Sequence, residues 1–95
     1  HERILAECDP FPFVRGFLFN LPSGKPPSLH MTSPRERWAD RPGAIAGRPA
    51  AALLERCLVG MFKLMDRRRH VLIGGGGIFT AEEAYRRIRL GASLV

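Results

Sequence analysis

The sequence predicts an α/β fold built on parallel strands, and three observations carry that prediction. Two short apolar runs, Gly16–Asn20 and His70–Ile73, lie either side of a long helical pattern. The second run ends in the glycine tetrad Gly74-Gly75-Gly76-Gly77. A helix-capping motif, a second helical pattern and a last apolar run, Ala92–Val95, follow it. The resulting order, β–loop–α–β–α–β, is that of a parallel sheet with helical crossovers. With 95 residues the chain is read as one unit over 1–95. A complete eight-stranded α/β barrel needs about 250 residues and is excluded.

Taken in order, residues 1–9 read as the end of a helix that Pro10 and Pro12 break. The run Gly16-Phe17-Leu18-Phe19-Asn20 is short, aromatic-rich and bounded by Gly and by Pro22, which predicts a buried strand. From 21 to 47 the chain carries five prolines and three glycines, a density of breakers that predicts a long loop. Trp38 and His30 are candidates to pin it, with a solvated His30 the alternative. Arg48-Pro49 opens an amphipathic helix running through Asp66. Leu54, Leu58, Met61 with Phe62, and Met65 recur on its apolar face, and Pro stands in the first turn where its missing N–H costs nothing. Cys57 shares that face and reads as a small buried hydrophobe.

His70-Val71-Leu72-Ile73 predicts a fully buried parallel strand opening into the glycine loop. Thr80-Ala81-Glu82-Glu83 is a capping box for the next helix. Ala84, Tyr85 and Ile88 are expected to face inward, Arg86, Arg87 and Arg89 outward, and Gly91 to end the helix in a left-handed turn.

Composition limits the function classes. Hydrophobic residues make up 45% and charged residues 25%, ordinary values for a globular chain, so disorder is not expected. No run suits a bilayer span or a signal peptide, and the two cysteines, Cys8 and Cys57, have no metal or disulfide-framework spacing. A reducing, cytoplasmic setting is the expectation, and His1 in place of an initiator Met suggests a piece of a longer chain. The net charge of +6 raises a polyanion partner, with Arg67-Arg68-Arg69 and Arg86-Arg87 as its dense runs. Solvated surface is the preferred reading of those runs, and a small basic nucleic-acid-binding module stays as the rival.

The glycine tetrad is the most informative feature for chemistry. At the carboxyl end of a parallel strand, residues without Cβ let free amides converge on an anion such as phosphate. The tetrad matches neither the dinucleotide fingerprint nor the P-loop, and a tight strand-to-helix turn is the competing reading. Gly47, just before a helix, is a second anion candidate because first-turn amides and the helix dipole favour negative charge. Its alternative is a simple helix-entry turn. No cluster of His, Cys or carboxylates suggests a metal or a nucleophile.

The blocks Gly43-Ala44-Ile45-Ala46-Gly47-Arg48-Pro49, Ile73 through Thr80 with Ala84, and Ile88-Arg89-Leu90-Gly91-Ala92-Ser93-Leu94-Val95 together resemble the C-terminal portion of quinone-dependent (class 2) dihydroorotate dehydrogenases. The last block is the most specific. The resemblance implies that this is part of a flavin-binding (β/α)8 TIM barrel whose parent oxidises dihydroorotate to orotate in pyrimidine biosynthesis. In that family electrons pass through FMN to a membrane quinone. It implies FMN-phosphate contacts at Gly47 and at Gly77, with Gly76 beside it, and it makes Asn20 the candidate for substrate binding. The family's catalytic Ser and flavin-contacting Lys lie on earlier strands with no counterpart here, so no catalytic residue is assigned and the isolated chain is expected to be inactive. Membrane contact would fall to an N-terminal region outside these residues. No nucleic-acid partner is then implied, and the unpaired strand edges of a barrel section predict self-association. Another flavin- or phosphate-binding barrel fragment is the remaining alternative.

Overall fold

A computed structural model describes residues 1–95. Helix α1 (Glu2–Cys8) is followed by strand β1 (Gly16–Phe19). The segment 20–47 holds a single 3-10 turn at Arg35–Arg37, and a second such turn, Arg48–Ala50, leads directly into α2 (Ala51–Leu64). Strand β2 (Val71–Gly74) and helix α3 (Ala81–Arg89) complete the order. β1 and β2 pair in parallel with Gly16 opposite Val71 and Phe19 opposite Gly74. The expected last strand is reduced to one parallel bridge between Ile73 and Leu94.

The core lies on one face of this sheet. Leu58, Met61 and Met65, the predicted apolar face of α2, close on Leu72 and Ala92, with Phe17, Phe19 and Phe62 packed around them. Leu54, Leu58, Met61 and Leu72 are essentially sealed from solvent, each worth about 1.5–3 kcal/mol of burial. The helix stops at Leu64, short of the predicted Asp66, because Met65 turns to extended backbone while keeping its side chain in the core.

The opposite face of the sheet is open, and this corrects the two strands expected to be buried. Leu18, Val71 and Leu94 are 57%, 45% and 58% exposed, and all three lie on the side that Ile73 shares. A strand's side chains alternate between faces, so a continuous apolar run is buried on both sides only where both are covered. Here helices cover one. The shape agrees: the extents are 44 × 31 × 18 Å, and the radius of gyration of 14.6 Å exceeds the roughly 12–13 Å of a close-packed chain of this length.

Of the two candidates, Trp38 makes only a local tie within the long loop and His30 makes none. Lys25 pins the loop instead, its ammonium donating to the carbonyl oxygens of Trp38 (2.7 Å), Ala39 (3.2 Å) and Arg41. Trp38 donates its indole N–H to the nearby Ser33 carbonyl, and His30 is exposed. Cys57 is half-buried at the margin of the α2 stripe, not in the core.

Helix α3 carries the largest departure from the sequence reading. Tyr85 and Ile88 face solvent at 64% and 43% exposure, whereas Arg87 is 1% exposed. The inward stripe runs through Ala84, Arg87 and Leu90, one helical row away from the expected one. A guanidinium prevails over two apolar side chains there because it meets acceptors on α2 (Ala51 and Glu55) and on the Gly76 turn. Gly91 does end the helix with φ +114°.

Candidate functional site

Two backbone segments meet beyond the carboxyl end of β2. The first is the Gly47 turn into α2, where Gly47 has φ +80° and ψ −153°, a conformation essentially reserved to glycine. Its carbonyl accepts from the Ala50 N–H at 3.1 Å and so starts the helix. The second is the Gly76–Gly77 turn, with φ +73° and +66°. A methyl group at Gly77 would lie 2.9 Å from Ala51 Cβ and 3.1 Å from the Gly47 carbonyl oxygen, so the two turns touch. A methyl group at Gly76 would overlap the carbonyl oxygen of Asn20, just after β1. The fold therefore brings all four sequence-predicted residues, Asn20, Gly47, Gly76 and Gly77, to one end of the sheet.

Close packing alone accounts for the absence of side chains at Gly76 and Gly77. It does not account for their amides. The N–H groups of Gly47, Gly76 and Gly77 donate to no acceptor in the chain. Buried backbone donors without partners are rare, and Gly77 is buried. Unpaired backbone donors beside the first turn of a helix are the type of group that can hold an anion, and the space they border is called the cradle below.

The N-terminus of α3 has no such capacity, because its own residues fill it. Glu83 Oε2 accepts from the N–H groups of Phe79 (2.6 Å) and Thr80 (3.0 Å), while the Thr80 hydroxyl accepts from the Glu83 N–H (3.2 Å). The predicted capping box is thus complete. Glu82 in the same turn is held below the ordinary glutamate range by hydrogen bonding to its own backbone amide and then to the Thr80 hydroxyl, against a small opposing effect of desolvation. Arg48, next to Gly47, lies over the Phe79 ring at 4.4 Å and reaches Glu83 Oε1 at 3.5 Å, joining the two halves of the site at its rim.

Behind the cradle lies the residue that the sequence reading assigned to the surface. Arg87 Nη2 donates to the carbonyl oxygens of Ala51 (3.2 Å) and Gly76 (3.3 Å). Its Nε is 3.6 Å from Glu55 Oε1, whose second oxygen forms an ion pair with Arg86 Nη2 at 3.0 Å. The signal available in the sequence was spacing: Arg87 falls between Ala84 and Gly91 on one helical row. The other basic run is also partly engaged. Arg69 donates to the carbonyls of Asp9 and Phe11 and pairs with the Asp9 carboxylate, and Arg67 lies over Phe62. No group of three or more His, Cys, Asp or Glu side chains is placed to hold a metal ion, and no helix is long and apolar enough to cross a membrane.

Fold and site together define a parallel βα segment that presents glycine amides beyond its strand ends. In sequence the chain is similar to quinone-dependent dihydroorotate dehydrogenases. It is 39% identical over 61 residues to the enzyme of Roseiflexus castenholzii, 46% over 59 residues to that of Sphingopyxis alaskensis, and 34% over 76 residues to that of Xanthobacter autotrophicus. These stretches cover 64%, 62% and 80% of this chain and only 16%, 16% and 20% of the relatives. The chain thus spans less than a quarter of the length of the proteins it matches. No family model and no solved structure matches it.

Proposed function

We propose that the chain is the C-terminal portion of an FMN-dependent dihydroorotate dehydrogenase-type barrel and supplies part of the cradle for the FMN phosphate. The observation that carries this reading is the meeting of the Gly47 and Gly76–Gly77 turns with their amides unpaired. The residues present fit a phosphate group. The cradle offers N–H donors without side chains in the way, and no carboxylate competes, because Glu83 is turned onto the α3 amides. Gly47 and Gly77 would hold the phosphate, Gly76 would shape the turn, and FMN when bound would supply the redox chemistry. Asn20, exposed beside Gly76, is the candidate for the substrate side. Dihydroorotate and a quinone are the proposed substrate and acceptor of the whole enzyme, and no catalytic residue is assigned to this chain.

The open sheet face of Leu18, Val71, Ile73 and Leu94 supports the barrel reading, since inward-facing apolar layers fill such barrels. The test is a side-by-side titration of the chain with FMN and riboflavin, followed by flavin fluorescence. Preferential binding of FMN, abolished by Gly77→Glu, is expected, and equal affinity for the two flavins would refute the phosphate cradle.

A further inference from the structure

Resting on the phosphate-cradle reading, we propose that Arg87 is a positioning residue that fixes the 76–77 peptide plane so that the Gly77 N–H points into the cradle. In a planar trans peptide, the carbonyl of one residue and the N–H of the next point in opposite directions. Arg87 Nη2 donates to the Gly76 carbonyl from behind, at 3.3 Å, which turns the Gly77 N–H outward. This peptide needs such a hold. It is flanked by glycine on both sides, each at positive φ, so side-chain sterics do little to prevent its rotation.

The same nitrogen donates to the Ala51 carbonyl in the first turn of α2, so a single guanidinium ties the second turn of the cradle to the helix that carries the first. The arrangement is not explained as a simple ion pair. A buried charge is costly unless fully satisfied, yet the Glu55 carboxylate stands off at 3.6 Å and Nη1 is buried without any partner. Because Glu55 is shared with Arg86, its carboxylate neutralises Arg87 only in part, and the remaining positive charge behind amides that face an anion adds to their field.

The test uses Arg87→Met and Arg87→Lys, the latter keeping the charge but not the fork, with two readouts. The first is the affinity for FMN against riboflavin. The second is ¹⁵N relaxation dispersion at the Gly77 amide, with Leu58 and Met61 as core references. Arg87→Met is expected to weaken FMN binding about tenfold, as for loss of a charge-assisted hydrogen bond, to leave riboflavin binding unchanged, and to bring exchange broadening to Gly77 alone. Arg87→Lys, which serves if the Met variant does not fold, is expected to broaden Gly77 in the same way. Parallel loss of both flavins, or a Gly77 amide as quiet as in the parent, would overturn the role of Arg87. A parent chain that does not distinguish FMN from riboflavin would instead overturn the phosphate reading. The Gly77 dispersion would then still decide whether Arg87 holds the peptide.

Discussion

Gly77→Ala is the sharpest probe of how the two turns are joined. The new methyl would meet Ala51 Cβ at 2.9 Å, Ala51 Cα at 3.1 Å and the Gly47 carbonyl oxygen at 3.1 Å, against an optimal carbon–carbon separation of about 3.5–4.0 Å. Two of these three atoms are backbone, so relief requires moving the start of α2. Overpacking of this kind costs about 1–3 kcal/mol. Holding alanine at φ +66° adds about 1–2 kcal/mol. Restricting the unfolded chain returns about 0.4–1 kcal/mol, leaving a net loss of about 1–4.5 kcal/mol. Gly47→Ala isolates the conformational part, since its methyl would meet only Phe79 Cζ at 3.8 Å, and it should cost about 1–3 kcal/mol. Urea unfolding of both variants measures the difference. A Gly77→Ala midpoint equal to the parent's would refute the close approach of the turns.

Other consequences follow from single contacts. Leu58→Ala empties a fully buried position between α2 and the sheet and should cost about 2–5 kcal/mol in the same assay. Thr80→Ala removes the cap of α3 and should cost about 1 kcal/mol, read as lower helicity and earlier unfolding. Because Glu82 titrates below its ordinary value in the folded chain, its contribution is fully present above the unfolded-state pKa and is lost as pH falls through the folded one. Acid unfolding of Glu82→Gln should therefore show a weaker pH dependence at and below the ordinary glutamate range than the parent. Lys25→Met frees three loop carbonyls, and limited proteolysis should then cut within 21–47 at lower protease concentration. The apolar sheet face should drive association that sedimentation detects as a concentration-dependent mass, and Leu18→Glu should reduce it.

The parts legible in the sequence were those written in local signals. The 3.6-residue recurrence of Leu54, Leu58, Met61 and Met65 specified α2 and its buried face. The pairing of Thr80 with Glu83 specified where α3 begins. The glycines marked both turns, although that they touch is tertiary information that no local pattern carries. The burial of β1 and β2 is only half realised because an apolar strand records what its environment should be, and here only one face has its cover. Arg87 departs from its sequence pattern for a related reason. Arginine on a helix beside two other arginines reads as solvated, and the acceptors that make its burial tolerable, the carbonyls of Ala51 and Gly76 and the Glu55 carboxylate, lie far away in sequence. Lys25 is a second instance, a cation whose partners are loop carbonyls and so leave no motif.

The cradle itself is tested most directly by recording ¹H–¹⁵N amide shifts of the chain during titration with inorganic phosphate and then with FMN. The amides of Gly47, Gly76 and Gly77 are predicted to move together, downfield and with one dissociation constant, while those of Arg67, Arg68 and Arg69 stay in place. Shifts confined to the arginine run, or a Gly47 amide that titrates independently of Gly77, would contradict a single phosphate site made from both turns.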